Sequence, residues 1–129
     1  MRDADRRVKY TKMVLRESLL LILQKKPVSR ISVTEVCEVA GLNRGTFYAH
    51  YADPFELLTK IENDLYQDIE HALAKEVARG DIDMMLVNIM GVLDKNRDAC
   101  RVLLGENGGT LFINRIFGMA RAFFTQMWI

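Results

Sequence analysis

The 129-residue sequence contains no run of about 18 apolar residues, so no segment is long and apolar enough to span a bilayer. Its longest uninterrupted apolar run, Leu19 to Leu23, is also too short for the core of a signal peptide. Only two prolines occur, no stretch is low in complexity, and half of the residues are hydrophobic. These features argue against a disordered chain and predict a folded, cytoplasmic protein with a packed core.

Cysteine is scarce too, and Cys37 and Cys100 are the only two in the chain. Neither has a histidine or another cysteine at the spacing of a zinc site, and both stand among apolar residues, so we expect buried thiols. The chain also lacks a nucleophile paired with a base, and the glycine-rich stretch 105–109 follows no strand-like segment. We therefore expect no metal ion, no cofactor and no enzymatic activity.

Charge is distributed unevenly, although the net charge of the whole chain is only +1. Residues 1–51 contain ten lysines and arginines against five acids, whereas residues 52–129 contain eight against twelve. A basic N-terminal part followed by an acidic C-terminal part indicates that the N-terminal part binds a polyanion.

Apolar residues recur at helical spacing along nearly the whole chain and strand-like alternation is absent, which predicts an all-α fold. The first helix is expected from Val8 to about Gln24, because Lys25, Lys26 and Pro27 form a helix-ending signal.

Three helix starts follow in close succession. Ser32 opens a capping box with Glu35, which predicts a short helix to about Ala40, and Gly41 suits a left-handed turn. Asn43 is a good N-cap for a helix from Arg44 to about Tyr51. The pair Asp53 and Pro54 then begins a long helix that is expected to reach about Ala78.

These short helices and their tight connection predict a helix-turn-helix head, residues 1–53, joined by the long helix to a helical body. A small core is expected from six apolar side chains: Ile31, Val36, Ala40, Leu42, Phe47 and Tyr51. Five residues remain outside this core and combine donors, a cation and two rings: Asn43, Arg44, Thr46, Tyr48 and His50. That combination favours a surface for nucleic acid.

The body, residues 54–129, is expected to add helices at about 82–94, 98–104 and 110 to the end, with a loop at 105–109. The last helix is strongly apolar, and its stripe of apolar residues continues up to Trp128 and Ile129. Such a helix must bury itself, either against a second copy or against further residues of a longer protein. Eight residues favour an adaptable apolar pocket or an ordinary core, and both alternatives stay open: Met84, Met85, Met90, Leu93, Leu103, Phe112, Phe117 and Phe124.

Residues 31–58, ISVTEVCEVAGLNRGTFYAHYADPFELL, resemble the tetracycline-repressor (TetR) family of bacterial transcriptional regulators. The resemblance rests on the turn at Ala40 and Gly41 and on the run from Gly45 to Tyr51. Residues 103–108 are also similar to a subgroup related to dihydroxyacetone-kinase regulators. The resemblance implies a homodimer that binds a palindromic operator in double-stranded DNA, a repressor released by an unidentified small-molecule effector. The chain departs from the family in length, because it lacks room for the last two helices, which usually form the dimer interface.

In such a head the second helix of the helix-turn-helix pair, here the one that begins at Arg44, enters the major groove. It reads bases through its N-terminal residues, here Asn43, Arg44 and Thr46. Arg44 is expected to bind a guanine edge or, equally, a phosphate. Gly45 lets the backbone approach closely.

Four further residues are expected to hold phosphates: Ser32 and Thr34 at the start of the second helix, and Tyr48 and His50, which match backbone-contacting family positions. Pro54 stands where the family often has a phosphate-binding lysine, so we expect part of that charge from Lys12, Lys25, Lys26 or Arg30. An alternative is a protein-interaction module that has lost DNA binding, which would show little salt dependence.

Overall fold

The structure is a computed structural model that describes residues 2–77, 80–105, 107 and 110–128. Within these residues it contains only helices, which confirms the all-α prediction. The α-helices in chain order are α1 (Arg2–Leu23), α2 (Val33–Ala40), α3 (Arg44–Tyr48), α4 (Pro54–Val77), α5 (Ile82–Lys95), α6 (Arg97–Leu103) and α7 (Thr110–Trp128). A 3-10 turn, Val28–Arg30, lies between α1 and α2. No helix in the described part is long and apolar enough to cross a membrane.

The predicted starts of α2 and α4 are confirmed by individual hydrogen bonds. The Ser32 hydroxyl accepts from the amide of Glu35 at 3.1 Å, and the Glu35 carboxylate accepts from the amide of Ser32 at 3.3 Å. The Asp53 carboxylate accepts from the amide of Glu56 at 2.8 Å. These local bonds satisfy amides that have no partner inside the helix, and so they fix where α2 and α4 begin.

The predicted start of the first helix is wrong, because α1 begins at Arg2 and not at Val8. Residues 3–10 are all exposed, so this first part of α1 has no apolar stripe that a periodicity search would detect. Asp3 and Asp5 in the first turn favour the helix through its dipole.

The predicted end of the third helix is also wrong, because α3 ends at Tyr48 rather than Tyr51. The carbonyl of Phe47 accepts from the amides of both His50 and Tyr51, which closes the helix in a tight turn. Because Pro54 favours extended backbone at the residue before it, Asp53, the chain cannot remain helical from α3 into α4.

The described helices fall into two compact units, Met1–Ile61 and Glu62–Ile129. In the first unit α1 contacts α2, and α2 contacts α3. Its buried apolar residues are Leu15, Leu19, Leu20, Ile22, Leu23, Ile31, Val36, Cys37, Phe47, Tyr51, Leu57, Leu58 and Ile61. Of the six residues predicted for the head core, Ala40 and Leu42 are half-buried and the other four are buried. The start of α4 therefore completes the core of the head, whereas a domain boundary at residue 53 stays a prediction.

The second unit has a separate core, to which the rest of α4, α5, α6 and α7 contribute. Its buried apolar residues are Leu65, Ile69, Leu73, Met85, Ala99, Val102, Leu103, Phe112 and Met119. A polar cluster joins α4 to α7: the Arg115 guanidinium lies 3.9 Å from the centre of the Tyr66 ring and donates to Asn63 at 2.6 Å. Burial raises the pKa of the neighbouring Glu62, and the charge of Arg115 opposes that shift. Of the predicted loop 105–109, residues 106, 108 and 109 lie outside the described residues, as does Ile129.

Candidate nucleic-acid interface

The connection between α2 and α3 consists of residues 41–43, and the first of them has a backbone conformation that favours glycine. Gly41 has φ +69°, which lies in the left-handed region, and the amide of Leu42 donates to the carbonyl of Cys37 at 3.0 Å. The Cys37 thiol is buried and points to the carbonyl of Asn43 at 3.6 Å. Burial raises the pKa of this thiol, so it stays protonated at neutral pH and acts as a structural group. The turn thus holds α3 at a fixed position on α2.

The helix α3 has one buried face and a broad exposed one. Phe47 is 0% exposed and anchors the helix in the core, with Tyr51 beside it at 5.9 Å between ring centres. Gly45 and Ala49 are one turn apart, both exposed, on the side opposite this anchor. Gly45 within α3 and Ala49 directly after it are small, which allows the backbone on this exposed side to approach a partner closely.

Arg44 and Tyr48 form a pair along one flank of α3. The Arg44 guanidinium donates to the Tyr48 hydroxyl at 3.2 Å and lies 5.8 Å from the centre of the ring. This hydrogen bond is the main reason why the pKa of Arg44 is raised, so the group stays charged. Both side chains are exposed. The pair holds a cation at an exposed position, where the guanidinium has further donors besides the one bonded to Tyr48.

The side-chain oxygen of Asn43 caps α3, and its side-chain amide group faces the surface. Its side-chain oxygen accepts from the amide of Thr46 at 2.8 Å and from the Thr46 hydroxyl at 3.0 Å. A Cβ at Gly45 would come within 3.3 Å of that same oxygen, which gives the glycine a structural reason that the sequence alone did not show. The Asn43 amide group remains as a surface donor, while Thr46 offers an acceptor oxygen and a methyl group.

The start of α2 brings two more predicted residues to the surface, Ser32 and Thr34, both exposed. The oxygen of Ser32 accepts a hydrogen bond in the capping box, and its proton is left to donate to a phosphate. Lys26, one of the four predicted substitutes for the missing family lysine, forms an ion pair with Glu35. That pair chiefly lowers the pKa of Glu35 and leaves less of the Lys26 charge for a partner. The contribution of Lys12, Lys25 and Arg30 stays a prediction.

A groove of about 480 Å³ runs between the first turns of α1 and the opposite flank of α3. It is lined by Ala4, Arg7, Val8 and Thr11 of α1, and by residues of α3 and directly beside it: Asn43, Gly45, Thr46, Ala49 and His50. The sequence analysis did not identify Arg7, which lies before the predicted helix start at Val8, or Thr11, which lies inside that predicted helix. Residues 3–10 are exposed, so no hydrophobic period marks this part of α1 in the sequence.

A second cavity, of about 360 Å³, lies within the second unit and has an entirely apolar lining. The lining residues are Ile69, Leu73, Met85, Leu86, Ile89, Leu93, Leu104, Ile116, Met119, Ala120, Phe123 and Phe124. Of the eight residues named from the sequence, Met85, Leu93 and Phe124 line it. Leu103 and Phe112 belong to the core, and Met84, Met90 and Phe117 are exposed. Among the described residues no group of three or more acids, histidines and cysteines is close enough to hold a metal ion.

Comparison with known proteins gives a limited similarity. Over 72 residues the chain is 33% identical to the uncharacterized HTH-type transcriptional regulator YxbF of Bacillus subtilis (strain 168). The match covers 54% of this chain and 19% of that protein, so the chain spans about a fifth of the length of its relative. No protein-family model matches the chain. No solved structure matches it either.

Proposed function

We propose that the chain is a sequence-specific DNA-binding regulator of transcription, of the type that the TetR resemblance implies. The observation that carries the proposal is the exposed α3: a short helix anchored by Phe47, held by a tight turn on α2, with Arg44 and Asn43 presenting donors to the outside. The relative described as a helix-turn-helix transcriptional regulator supports it. The excess of basic residues in 1–51 supports it as well.

In this proposal α3 lies in the major groove with its N-terminal residues Asn43 and Arg44 towards the bases. Arg44 reads a guanine edge, a contact that contributes about 1–3 kcal/mol of discrimination, and the Asn43 amide reads a neighbouring base. Tyr48, which orients Arg44, contacts the sugar-phosphate strand on one side of the groove, and His50 contacts the strand on the other. Ser32 and Thr34 hold a further phosphate, and such contacts set the register of the head on the duplex.

The experiment is selection of a binding site from random duplexes, followed by titration of the selected duplex with wild-type protein and two variants. Arg44→Ala is expected to relax the preference at one base position and to lower affinity. Arg101→Ala removes the same charge from an exposed position on α6 and is the matched control. Equal loss of affinity in both variants, with unchanged base preference, contradicts a base-reading role for Arg44.

The regulatory part of the proposal is a homodimer on a palindromic operator, with repression relieved by a small molecule bound in the apolar cavity of the second unit. None of the lining side chains carries a charge, so a charged ligand would be buried without a partner, at a cost of several kcal/mol. The effector is therefore neutral and apolar. Its action requires a higher affinity for one of two states of the protein.

The cavity can be tested with a matched pair of small probes, toluene and benzoate. Toluene is expected to raise the melting temperature, whereas benzoate, of similar shape but charged, is expected to leave it unchanged. Ala120→Phe fills the cavity and is expected to abolish the toluene effect, while Ala122→Phe, at an exposed position of the same helix, preserves it. Stabilisation by benzoate, or by toluene in both variants, contradicts this assignment.

A further inference from the structure

The groove between α1 and α3 has a chemistry that neither the core of the head nor the Arg44 flank explains. Five of its lining residues are polar: Arg7, Thr11, Asn43, Thr46 and His50. No carboxylate is among the described residues that line it. A recess lined by one cation and several potential donors, without an acid, suits an anion.

Thr11 gives an independent indication of a ligand. This side chain is only 7% exposed, and it lines the groove. Within the part of the chain that the structure describes, its hydroxyl has no hydrogen-bond partner, whereas Ser18, further along the same helix, donates to the carbonyl of Val14 at 2.7 Å. A buried hydroxyl without a partner costs free energy, so such groups in proteins usually have a reason.

The extension of α1 beyond the core points the same way. Residues 3–10 bury no side chain, yet they continue the helix for two turns past Thr11. A solvated helical extension gains nothing from packing, and short helices are marginal without it. Its inner stripe, Ala4, Arg7 and Val8, faces the groove instead of a core. A structural role within the head does not account for this arrangement.

We propose that this groove is a phosphate-binding site that receives one backbone phosphate of the DNA strand next to α3. Arg7 supplies the positive charge, the Thr11 hydroxyl donates a hydrogen bond from the inner wall, and His50 donates from the side of α3. The inference rests on the proposed DNA-binding function, because the phosphate belongs to a DNA strand that borders the major groove occupied by α3. It adds α1 to the interface and gives Arg7 and Thr11 a positioning role without base specificity.

The test uses the selected duplex and two groove variants, each with a control. Arg7→Gln is expected to lower affinity about tenfold, since a hydrogen bond to a charged group is a strong one. It also reduces the slope of log affinity against log salt by about 0.9, because one fewer phosphate is neutralised. Arg6→Gln removes the same charge from an exposed position outside the groove and should change both values far less.

Thr11→Val separates binding from folding, because the two side chains have nearly the same shape. Removal of an unpartnered buried hydroxyl is expected to leave the melting temperature equal or higher, while affinity for the duplex falls several-fold and the salt slope stays unchanged. Thr59→Val, at an exposed position of α4, is the control and keeps wild-type affinity. A merely structural role for Thr11 would instead lower the melting temperature.

Three further outcomes are informative. Wild-type affinity and salt slope in both groove variants, with Arg44→Ala still impaired, would overturn the site and leave the proposed function intact. Failure of the wild-type protein to bind any duplex would overturn the proposed function itself. If inorganic phosphate alone raised the melting temperature of the wild type but not of Arg7→Gln, while duplex affinity was equal in both, the site would serve a free phosphorylated molecule and the assignment to DNA would be wrong.

Discussion

Replacement of Phe47 by alanine should show how much of the head depends on one ring. Phe47 is 0% exposed, and its ring centre lies 5.8 Å from that of Tyr48 and 5.9 Å from that of Tyr51. Truncation of such a phenylalanine costs about 3–5 kcal/mol, because the transfer free energy is lost and a cavity is left behind. A unit of about 60 residues is stable by only about 3–9 kcal/mol. The variant should therefore lose at least about a third of the stability of the head.

Hydrogen exchange followed by mass spectrometry is the suitable assay, because it reports on each unit separately. Peptides covering 31–51 should lose most of their protection in Phe47→Ala, while peptides from α6 should not change. Tyr48→Ala is the matched control, since the neighbouring ring is 49% exposed and its loss should cost less than about 1 kcal/mol. Equal protection in wild type and Phe47→Ala would refute the view that this ring anchors α3.

Three further predictions concern the backbone and the caps of the head. Gly41→Ala should destabilise the head by about 1–2 kcal/mol in urea titration, because a Cβ there meets no atom within 4 Å and the cost comes from φ +69° alone; Gly91→Ala, at a helical position with equal space, should instead stabilise α5. Ser32→Ala should cost about 1 kcal/mol and deprotect α2, whereas Ser29→Ala, which caps no helix, should have no effect. The lowered pKa of Glu35, caused chiefly by Lys26, implies a stabilisation that is present above the unfolded value near 4.5 and is lost as pH falls through the folded value. The urea midpoint of Glu35→Gln should therefore depend less on acid pH than that of the wild type, and an identical pH dependence would contradict the role of the ion pair.

The helix starts could be predicted because their signals are local. Ser32 with Glu35, Asn43 with Thr46, and Asp53 with Glu56 each form their bonds within four residues, so the sequence order alone determines the partners. The left-handed turn at Gly41 is equally local. The burial of Phe47 could also be predicted, because the N-cap at Asn43 determines where α3 begins and therefore which of its residues face the core.

The groove and the cavity could not be predicted, since both depend on contacts between distant segments. Nothing in the order of residues shows that Arg7 and Thr11 line the same recess as His50, because that proximity follows from how α1 is placed in the head. In the body, apolar stripes of α5 and α7 look alike in sequence, and only the packing separates Phe112 in the core from Phe124 at the cavity. The beginning of α1 could not be predicted from hydrophobic periodicity, because residues 3–10 are all exposed.

The central claim, that the head binds DNA through α3 and its flanks, is tested most directly by the salt dependence of binding to a selected duplex. If the head binds in this way, log affinity falls linearly with log salt, with a slope of about −0.9 for each phosphate that the head neutralises. Arg44→Ala then changes the preferred sequence as well as the affinity. No enrichment of any duplex, or binding that is indifferent to salt, would contradict the account and would favour a head that contacts another protein.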